Sequence, residues 1–542
     1  MIRSLDQEKC IGCGTCMKSC PLDVFRVHAV PTTASPCSAA CPVHNNIRAY
    51  HAALQLGSVE EAVALSWKSN PLAAVTGRVC PHFCETKCSR NSVDSAVNIG
   101  GIERFLGDKA LEAPTEPVMK KHIAPVAVVG SGPAGLTCAA ELAREGFSVT
   151  VFEAQDEPGG MLRYGIPEYR LPAEVLARLV QKLQAMGVSF RCGQRLGVDF
   201  QLEELKKQGY KAVMLGLGAG VARRSDADGA DGPHVMYGLE FLQAVRTRSI
   251  RAVSGRAMVV GGGDVAMDVA QSLARLGAES VLVASLESEA EMPAFRHNID
   301  DAKRLGVQFK PSSSVRNIVR DGERIAEITM VRCACVFDEQ GRFSPVMDEG
   351  TTWTEHADLI VFAIGQACDL TGVPQDVLTR RGMAADDVTG QTSIPWLFAA
   401  GDAVTGPSSV ASAVGGGKRA AVGMLTYLRG GDMQLLKAWD MPVVPELECP
   451  EKHKRITREE GRLLPVAAED GHFLEMYAGL RHEQVLGESL RCLTCGSKAN
   501  IEHPDDCMTC FGCEMGCPTG AIYVDPIKEE WPRALAPLPE SD

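Results

Sequence analysis

Long apolar runs are missing from this sequence. No uncharged stretch approaches the roughly eighteen residues of a membrane-crossing helix, so no membrane insertion is expected. The opening Met-Ile-Arg-Ser-Leu-Asp-Gln-Glu-Lys has no apolar core of the kind that drives secretion, so no signal peptide is expected there. Basic stretches are missing too. Lys and Arg number 55 against 68 Asp and Glu, a formal charge of -13, so nothing offers to neutralise phosphates and nucleic acid is not an expected partner. The acidic surplus reads most simply as solubility. Neither a Ser-His-Asp arrangement nor a pair of carboxylates suggests hydrolysis, and no acid–base catalytic residue is expected.

Cysteine, by contrast, is abundant at 21 residues, and fifteen of these fall into iron–sulfur spacings. Cys10-Ile-Gly-Cys13-Gly-Thr-Cys16-Met-Lys-Ser-Cys20-Pro21 stands near one end of the sequence. Cys507-Met-Thr-Cys510-Phe-Gly-Cys513-Glu-Met-Gly-Cys517-Pro518 stands near the other. Both follow C-x2-C-x2-C-x3-C-P, a tight loop that points three thiolates at one 4Fe–4S cube while the fourth usually ligates the other cube of a pair. Zinc is the alternative. It prefers two separated C-x2-C knuckles, and four Cys packed this closely suit it poorly. These spacings, without a signal, favour a reducing cytoplasm over disulfides and point to electron transfer.

At 542 residues the chain has room for roughly three or four domains, and 45% hydrophobic with 23% charged residues is ordinary for a globular protein. Residues 1–30 read as one ferredoxin-like half, with a short strand, the cluster loop and a returning strand through Val24-Phe25-Arg26-Val27. Residues 31–120 read as a helical 4Fe–4S domain, since Ile47 to Trp67 carries apolar positions at 3–4 spacing. Pro114 and Pro117 mark a linker. Residues 121–440 alternate apolar strands with helices, the pattern of a doubly wound parallel α/β protein. Residues 441–500 form an irregular return segment with a Cys pair, 501–530 a second ferredoxin-like half, and 531–542 a Pro-rich acidic tail expected to be disordered.

The α/β part holds two nucleotide fingerprints. In the first, Val126-Ala-Val-Val leads into Gly130-Ser-Gly132-Pro133-Ala134-Gly135, and Val149-Thr-Val-Phe-Glu153 follows after a helix. The glycines let backbone approach a pyrophosphate at a helix N-terminus, and Glu153 stands where a carboxylate accepts from ribose hydroxyls. In the second, Ala257-Met-Val-Val leads into Gly261-Gly262-Gly263-Asp264-Val-Ala266, and Val281-Leu-Val-Ala-Ser-Leu-Glu287 follows. Ala266 takes the third-glycine place, which the pattern tolerates. Two dinucleotides are expected, with residues 121–245 and 356–440 forming one binding domain and 246–355 the other. A single Rossmann domain with a decayed copy is the alternative. Leu359-Ile-Val-Phe-Ala-Ile-Gly365 and Trp396-Leu-Phe-Ala-Ala-Gly401-Asp402 each put a glycine at a strand end. The Asp402 carboxylate is placed to reach a flavin's ribityl or pyrophosphate region.

Several phrases in one order carry a resemblance. They include Cys41-Pro-Val-His-Asn-Asn-Ile, Thr76-Gly-Arg-Val-Cys80-Pro-His-Phe-Cys84-Glu-Thr-Lys-Cys88, Asn98-Ile-Gly-Gly-Ile-Glu103 and Pro158-Gly-Gly160-Met161-Leu162-Arg-Tyr-Gly165-Ile166-Pro167. Over roughly residues 35–430 the sequence resembles the small subunit of bacterial glutamate synthase, the N-terminal part of dihydropyrimidine dehydrogenase and the large subunit of the bifurcating ferredoxin–NADP transhydrogenase. The resemblance implies FAD on the first fingerprint, the 160–167 phrase and Gly401-Asp402, and a nicotinamide dinucleotide on the second fingerprint with Gly365.

Two departures refine it. The family's Arg-Cys-Leu-x-Cys pair usually precedes the Cys-Pro-Val phrase, but here Arg491-Cys492-Leu-Thr-Cys495 lies far downstream. The resemblance then implies one cluster on Cys37, Cys88, Cys492 and Cys495. It implies another on Cys41, Cys80, Cys84 and Glu103, because the family has a Glu or Gln ligand there. With the terminal runs this makes four 4Fe–4S clusters on sixteen donors. A solvated helix residue is the alternative for Glu103. NADPH-using relatives carry two arginines at the positions of Leu286 and Glu287. A carboxylate there repels a 2′-phosphate but accepts from a free hydroxyl, so NAD(H) is favoured over NADP(H).

Of the remaining cysteines, Cys138 is expected to pack as a small hydrophobe. Cys333-Ala-Cys335 is expected to place both thiols on one face of a strand. The expected function is an NADH-linked electron-transfer subunit that serves partner oxidoreductase subunits or ferredoxin, for example a 2-oxoacid oxidoreductase of the phenylglyoxylate or pyruvate kind. A free-standing ferredoxin–NAD(P) reductase, a non-catalytic relay and a glutamate synthase small subunit are the alternatives. The two chain ends are expected to fold together as one ferredoxin, with two independent one-cluster domains or pairing between protomers as the alternatives.

Overall fold

The computed structural model describes residues 2–7, 9–10, 15–22, 24–29, 33–115, 117–122, 124–380, 382–438, 441–445, 455–465, 468–469, 472–501, 503, 506–517 and 521–524. Cys13, Cys449, Pro518 and the tail 531–542 lie outside the described residues.

The two ends of the chain pair with each other. Strand Ile2–Leu5 runs antiparallel to Ile522–Val524, with Leu5 opposite Ile522. Strand Phe25–Ala29 runs antiparallel to Ser497–Ile501, with Phe25 opposite Ile501. Neither end supplies a sheet alone. Pairing covers otherwise open strand edges and buries Ile2, Val24, Phe25, Ala499, Ile522 and Val524 in one small core.

Helices Ile47–Gln55, Val59–Ser69, Ala73–Val79 and Ile99–Glu112 make up most of the next segment. Tyr50, Leu54, Ile99, Ile102 and Leu106 form its core, and Leu480 and Val485 of the return segment complete it. Ala73–Val79 and Ile99–Glu112 cross at backbone contact. A Cβ on Gly107 would stand 2.1 Å from the Ala74 nitrogen, and one on Gly77 would stand 2.3 Å from that of Arg104. This crossing sets Cys80, at the end of one helix, against Glu103 on the other.

Two five-stranded, all-parallel sheets follow. The first has spatial order Leu397–Ala399, Ala212–Leu215, Pro125–Val129, Ser148–Phe152, Ser189–Arg191. The second runs Gln308–Lys310, Ser280–Ala284, Arg256–Val260, Leu359–Phe362, Val235–Tyr237. The second sheet thus reaches past the expected 246–355 span on both sides. An apolar run such as Leu-Ile-Val-Phe satisfies either sheet, so its sequence does not reveal its neighbour. An antiparallel meander of Ser313–Asp321, Arg324–Phe337 and Phe343–Glu355 is appended to the second sheet. Its register shifts between Cys333 and Cys335, which leaves Cys333 buried and Cys335 exposed, so the expected shared face for the two thiols is corrected by a bulge. Cys138 is fully buried against Met424.

The Gly77–Gly107 crossing has no room for a side chain. Gly107→Val should cost about 1–3 kcal/mol through overpacking. On heating, the variant's iron–sulfur absorbance should fade at lower temperature than the wild type's, while flavin release stays unchanged.

Candidate functional site

The first fingerprint forms the expected strand–loop–helix, with helix Pro133–Arg144 opening at Gly132. Gly130 has φ +96°, and a Cβ there would stand 2.3 Å from Gly216 O, so both backbone and space require glycine. Gly132 has nothing near its missing Cβ, which leaves the helix N-terminus open to an anion. Glu153 is buried at the end of Ser148–Phe152. Its carboxylate accepts from Ser131 N and Gln155 N, each at 2.9 Å, and from the Ser131 hydroxyl. Gly160 packs on Gly132 and opens the short helix Met161–Tyr164, in which Leu162 is buried. Gly165, Ile166 and Pro167 follow that helix. Gly401, with φ +77°, approaches Ala134, and burial pushes the Asp402 carboxyl up to about 6.

The second fingerprint repeats this geometry on helix Asp264–Arg275. Gly261 has φ +144° and lies against Ala363 O, two residues before Gly365, while Ala266 is fully buried. A Cβ on Gly262 would stand 2.6 Å from Glu287 Oε2, so that carboxylate lies directly over the glycine loop. Asp264 does work the sequence did not suggest. Its Oδ1 accepts from Phe295 N at 3.0 Å and Asn298 Nδ2 at 2.7 Å, holding the segment that follows Met292-Pro293. Tyr169 and Arg170 tie the two sheets' domains together, the guanidinium meeting both carboxylate oxygens of buried Asp268 at 2.8 Å.

The cysteines of the helical segment line two cavities. Cys37, Cys88, Cys492 and Cys495 surround one, although more than 400 residues separate Cys37 from Cys492. Cys41, Cys80, Cys84 and Glu103 surround the other. Ile47 and Ile99 belong to both linings, so the cavities are neighbours. Glu103 is not solvated. Its Oε1 accepts from Asn45 and Asn70 at 2.8 Å and from Thr76 at 3.2 Å, and burial still pushes its carboxyl up to about 7. Among the described residues no donor reaches Oε2. Asn45, Asn70 and Thr76 were not anticipated as contacts of Glu103. Asn45 and Asn70 flank helices and Thr76 lies within one, and the signal that could have found them is the place of Asn45 and Thr76 in the phrases that carry the resemblance.

Burial pushes the Cys41 thiol up to about 11 and that of Cys80 to about 12, and the Glu103 charge adds to both. Bound iron would supply the positive charge that ionises such thiols. Among the described residues no three His, Cys, Asp or Glu side chains stand close enough to hold a single metal ion. The donors ring cavities instead, the arrangement that a polynuclear cluster fills. At the paired ends, Cys10, Cys16, Cys507 and Cys513 are buried in the shared core, with Cys20 and Cys517 packed against it and Cys510 exposed. Burial pushes the Cys513 thiol up to about 11, and the charges of Cys20 and Cys507 add to it. Cys20 therefore lies beside the loop from the opposite end of the chain.

Comparison with known proteins agrees with this geometry. The family described as pyridine nucleotide-disulphide oxidoreductase matches residues 124–417. The chain belongs to that family. A dihydropyrimidine dehydrogenase domain II with a 4Fe-4S cluster matches residues 29–115, and a 4Fe-4S binding domain matches residues 4–26. The NADP(+)-dependent formate dehydrogenase subunit beta of Moorella thermoacetica is 35% identical over 86% of this chain and 71% of its own length. The NADPH glutamate synthase small chain of Escherichia coli is 34% identical over 72% and 88% respectively. The NAD-dependent dihydropyrimidine dehydrogenase subunit PreT of the same organism is 32% identical over 73% and 92%. Among solved structures, FprA from Mycobacterium tuberculosis shares the fold with a TM-score of 0.51 at 18% identity, over 59% of this chain and 88% of that one. This family member is thus an iron–sulfur flavoprotein, an FAD-dependent oxidoreductase that uses a pyridine nucleotide. Among the described residues no helix is long and apolar enough to cross a membrane.

Glu153 is the buried carboxylate that orders the first glycine loop. Glu153→Ala leaves the Ser131 and Gln155 N–H groups without their acceptor, each worth about 1–3 kcal/mol. Flavin retention should fall at least about tenfold, measured by FAD release on dilution, with iron content unchanged.

Proposed function

We propose that this chain is the nicotinamide-facing subunit of a larger electron-transfer complex, passing electrons between NAD(H) and a partner oxidoreductase or ferredoxin. One observation carries the reading: the two cavities ringed by cysteines adjoin each other, and one of them abuts the flavin domain. Ala411, nine residues after Asp402, lines the Glu103 cavity. Its helix, Val410–Leu428, lies so close that a Cβ on Gly415 would stand 2.1 Å from Pro42 O. Lys418 Nζ fixes this contact by donating to Val43 O at 3.2 Å and Ser69 O at 2.6 Å. The Cys37 cavity adjoins through Ile47 and Ile99, and the return segment leads on to the paired ends. That relatives of this chain carry the word subunit in their names supports a partner.

FAD, when bound, exchanges two electrons with a nicotinamide and single electrons with iron–sulfur cubes. The chain's residues supply position. Gly132 would admit the flavin dinucleotide's pyrophosphate at the helix N-terminus, with Gly130 making the tight turn and Gly135 packing on Gly130 O, while Glu153 would accept from its ribose and Asp402 would lie toward its ribityl chain. Gly263 would admit the nicotinamide dinucleotide in the same way, with Gly261 making the turn against Ala363 O. Cys41, Cys80, Cys84 and Glu103 would hold one cube, and Cys37, Cys88, Cys492 and Cys495 a second. The terminal loops would exchange ligands, with Cys10, Cys13, Cys16 and Cys517 on one cube and Cys20, Cys507, Cys510 and Cys513 on the other. The relatives' names divide between NADP and NAD. We rest the choice of NADH on Glu287, whose carboxylate over the Gly262 loop repels a 2′-phosphate.

NADH should therefore bleach the flavin with at least about tenfold higher kcat/KM than NADPH, and Glu287→Arg should narrow or reverse that ratio. A wild type that prefers NADPH would remove Glu287 from this role. Anaerobically purified protein should carry about sixteen irons, four per cube. Glu103→Ala should lose about four of them or change one cluster's paramagnetic spectrum while FAD stays bound. An unaltered count and spectrum would leave Glu103 a buried structural acid.

A further inference from the structure

The two terminal donor sets differ in what they touch. Strand Ser497–Ile501 begins two residues after Cys495, and its buried Ala499 donates its backbone N–H to Cys10 Sγ at 3.5 Å. Lys498 Nζ donates to the carbonyls of Cys10 at 2.6 Å and Gln7 at 2.7 Å, while Gln7 Nε2 returns a bond to Ala499 O at 2.8 Å. Four residues of chain, at most about 14 Å, thus separate Cys495 from the hydrogen bond on the Cys10 sulfur. On the other loop Cys510 is exposed, and Met508 and Met515 around it are 62% and 82% exposed.

We propose that the terminal sets are ordered: the Cys10 set is inner, coupled to Cys492 and Cys495 through residues 495–499, and the Cys510 set is outer, where electrons pass to or from the partner protein. This rests on the functional reading above. An N–H···S bond and a nearby ammonium favour the more negative, reduced state of an iron–sulfur site, so Ala499 and Lys498 make the Cys10 position a good acceptor. Solvent exposure gives the Cys510 position access to another protein. One NADH, oxidised to NAD+ with release of a proton, supplies two electrons. Each cube takes one, so no further reductant is required.

The test uses the full-length holoprotein and two variants, Cys10→Ala and Cys510→Ala, with iron counts and rapid-freeze paramagnetic spectra after mixing with NADH. In Cys510→Ala the remaining terminal signal should appear as fast as in wild type. In Cys10→Ala the remaining terminal signal should appear with dithionite but at least about tenfold more slowly with NADH. Equal rates in the two variants, or the opposite pattern, would overturn the order. Should alanine strip both terminal sets, serine at the same positions, which retains an oxygen ligand and alters the spectrum of the substituted cluster, replaces it. Cys10→Ser should slow NADH reduction of the unsubstituted terminal cluster at least about tenfold and Cys510→Ser should leave it as fast as in wild type, and equal rates would overturn the order. A wild type whose clusters neither NADH nor NADPH reduces would overturn the functional reading itself, a result distinct from any difference between the variants.

Discussion

Arg491 is fully buried, and its guanidinium is met on every side. Nε donates to Ile456 O at 3.0 Å, Nη1 to Ala96 O and Glu488, and Nη2 to Asp94 at 2.8 Å and Ser95 O at 2.7 Å. Glu488 in turn accepts from Asn98 N at 2.7 Å and Glu459 N at 2.8 Å. These bonds dock the return segment onto the helical segment, and the next residue is Cys492. Without a satisfied Arg491 a buried charge would stand unpaired, a loss of about 3–5 kcal/mol. The cavity holding Cys37 and Cys88 would also lack half its thiols. The pairing of the chain ends depends on the same docking, since strand Ser497–Ile501 follows directly.

Close backbone approach does the remaining positioning. Gly77 and Gly107 bring Cys80 against Glu103, Gly415 brings the flavin domain's last helix onto the Cys41 loop, and Gly417 seats that helix on Ala134. Side chains at these points would push cofactor sites apart, and electron transfer depends on their spacing. The bonds of Lys418 to Val43 and Ser69 add a polar tie at the same contact. The flavin and iron–sulfur parts therefore behave as a packed unit at this junction, whereas most interdomain contacts are looser and more polar.

Charge is distributed with the same economy. The Glu103 cavity carries one carboxylate held by three neutral donors, while buried Arg48 and Arg90 line the Cys37 cavity. A cation stabilises a reduced, more negative cluster, and a carboxylate opposes it. At the second fingerprint the single carboxylate of Glu287 lies over the Gly262 loop.

The sequence by itself determined the chemistry. Cysteine spacing is a local property of loops a few residues long, and the strand–glycine–helix phrases are equally local, so both were legible without coordinates. The grouping of Cys37 with Cys492 was legible only through resemblance, because nothing in either segment names its partner. Tertiary structure alone decided the rest. It assigned Leu359–Phe362 and Val235–Tyr237 to the second sheet, separated Cys333 from Cys335 by a bulge, and gave Asp264 a loop to hold. It also surrounded Glu103 with Asn45, Asn70 and Thr76 and put the Ala499 N–H on the Cys10 sulfur. Each of these depends on which distant backbone arrives alongside. Close packing and the satisfaction of buried polar groups settle that for the whole molecule at once, and no short window of sequence contains it.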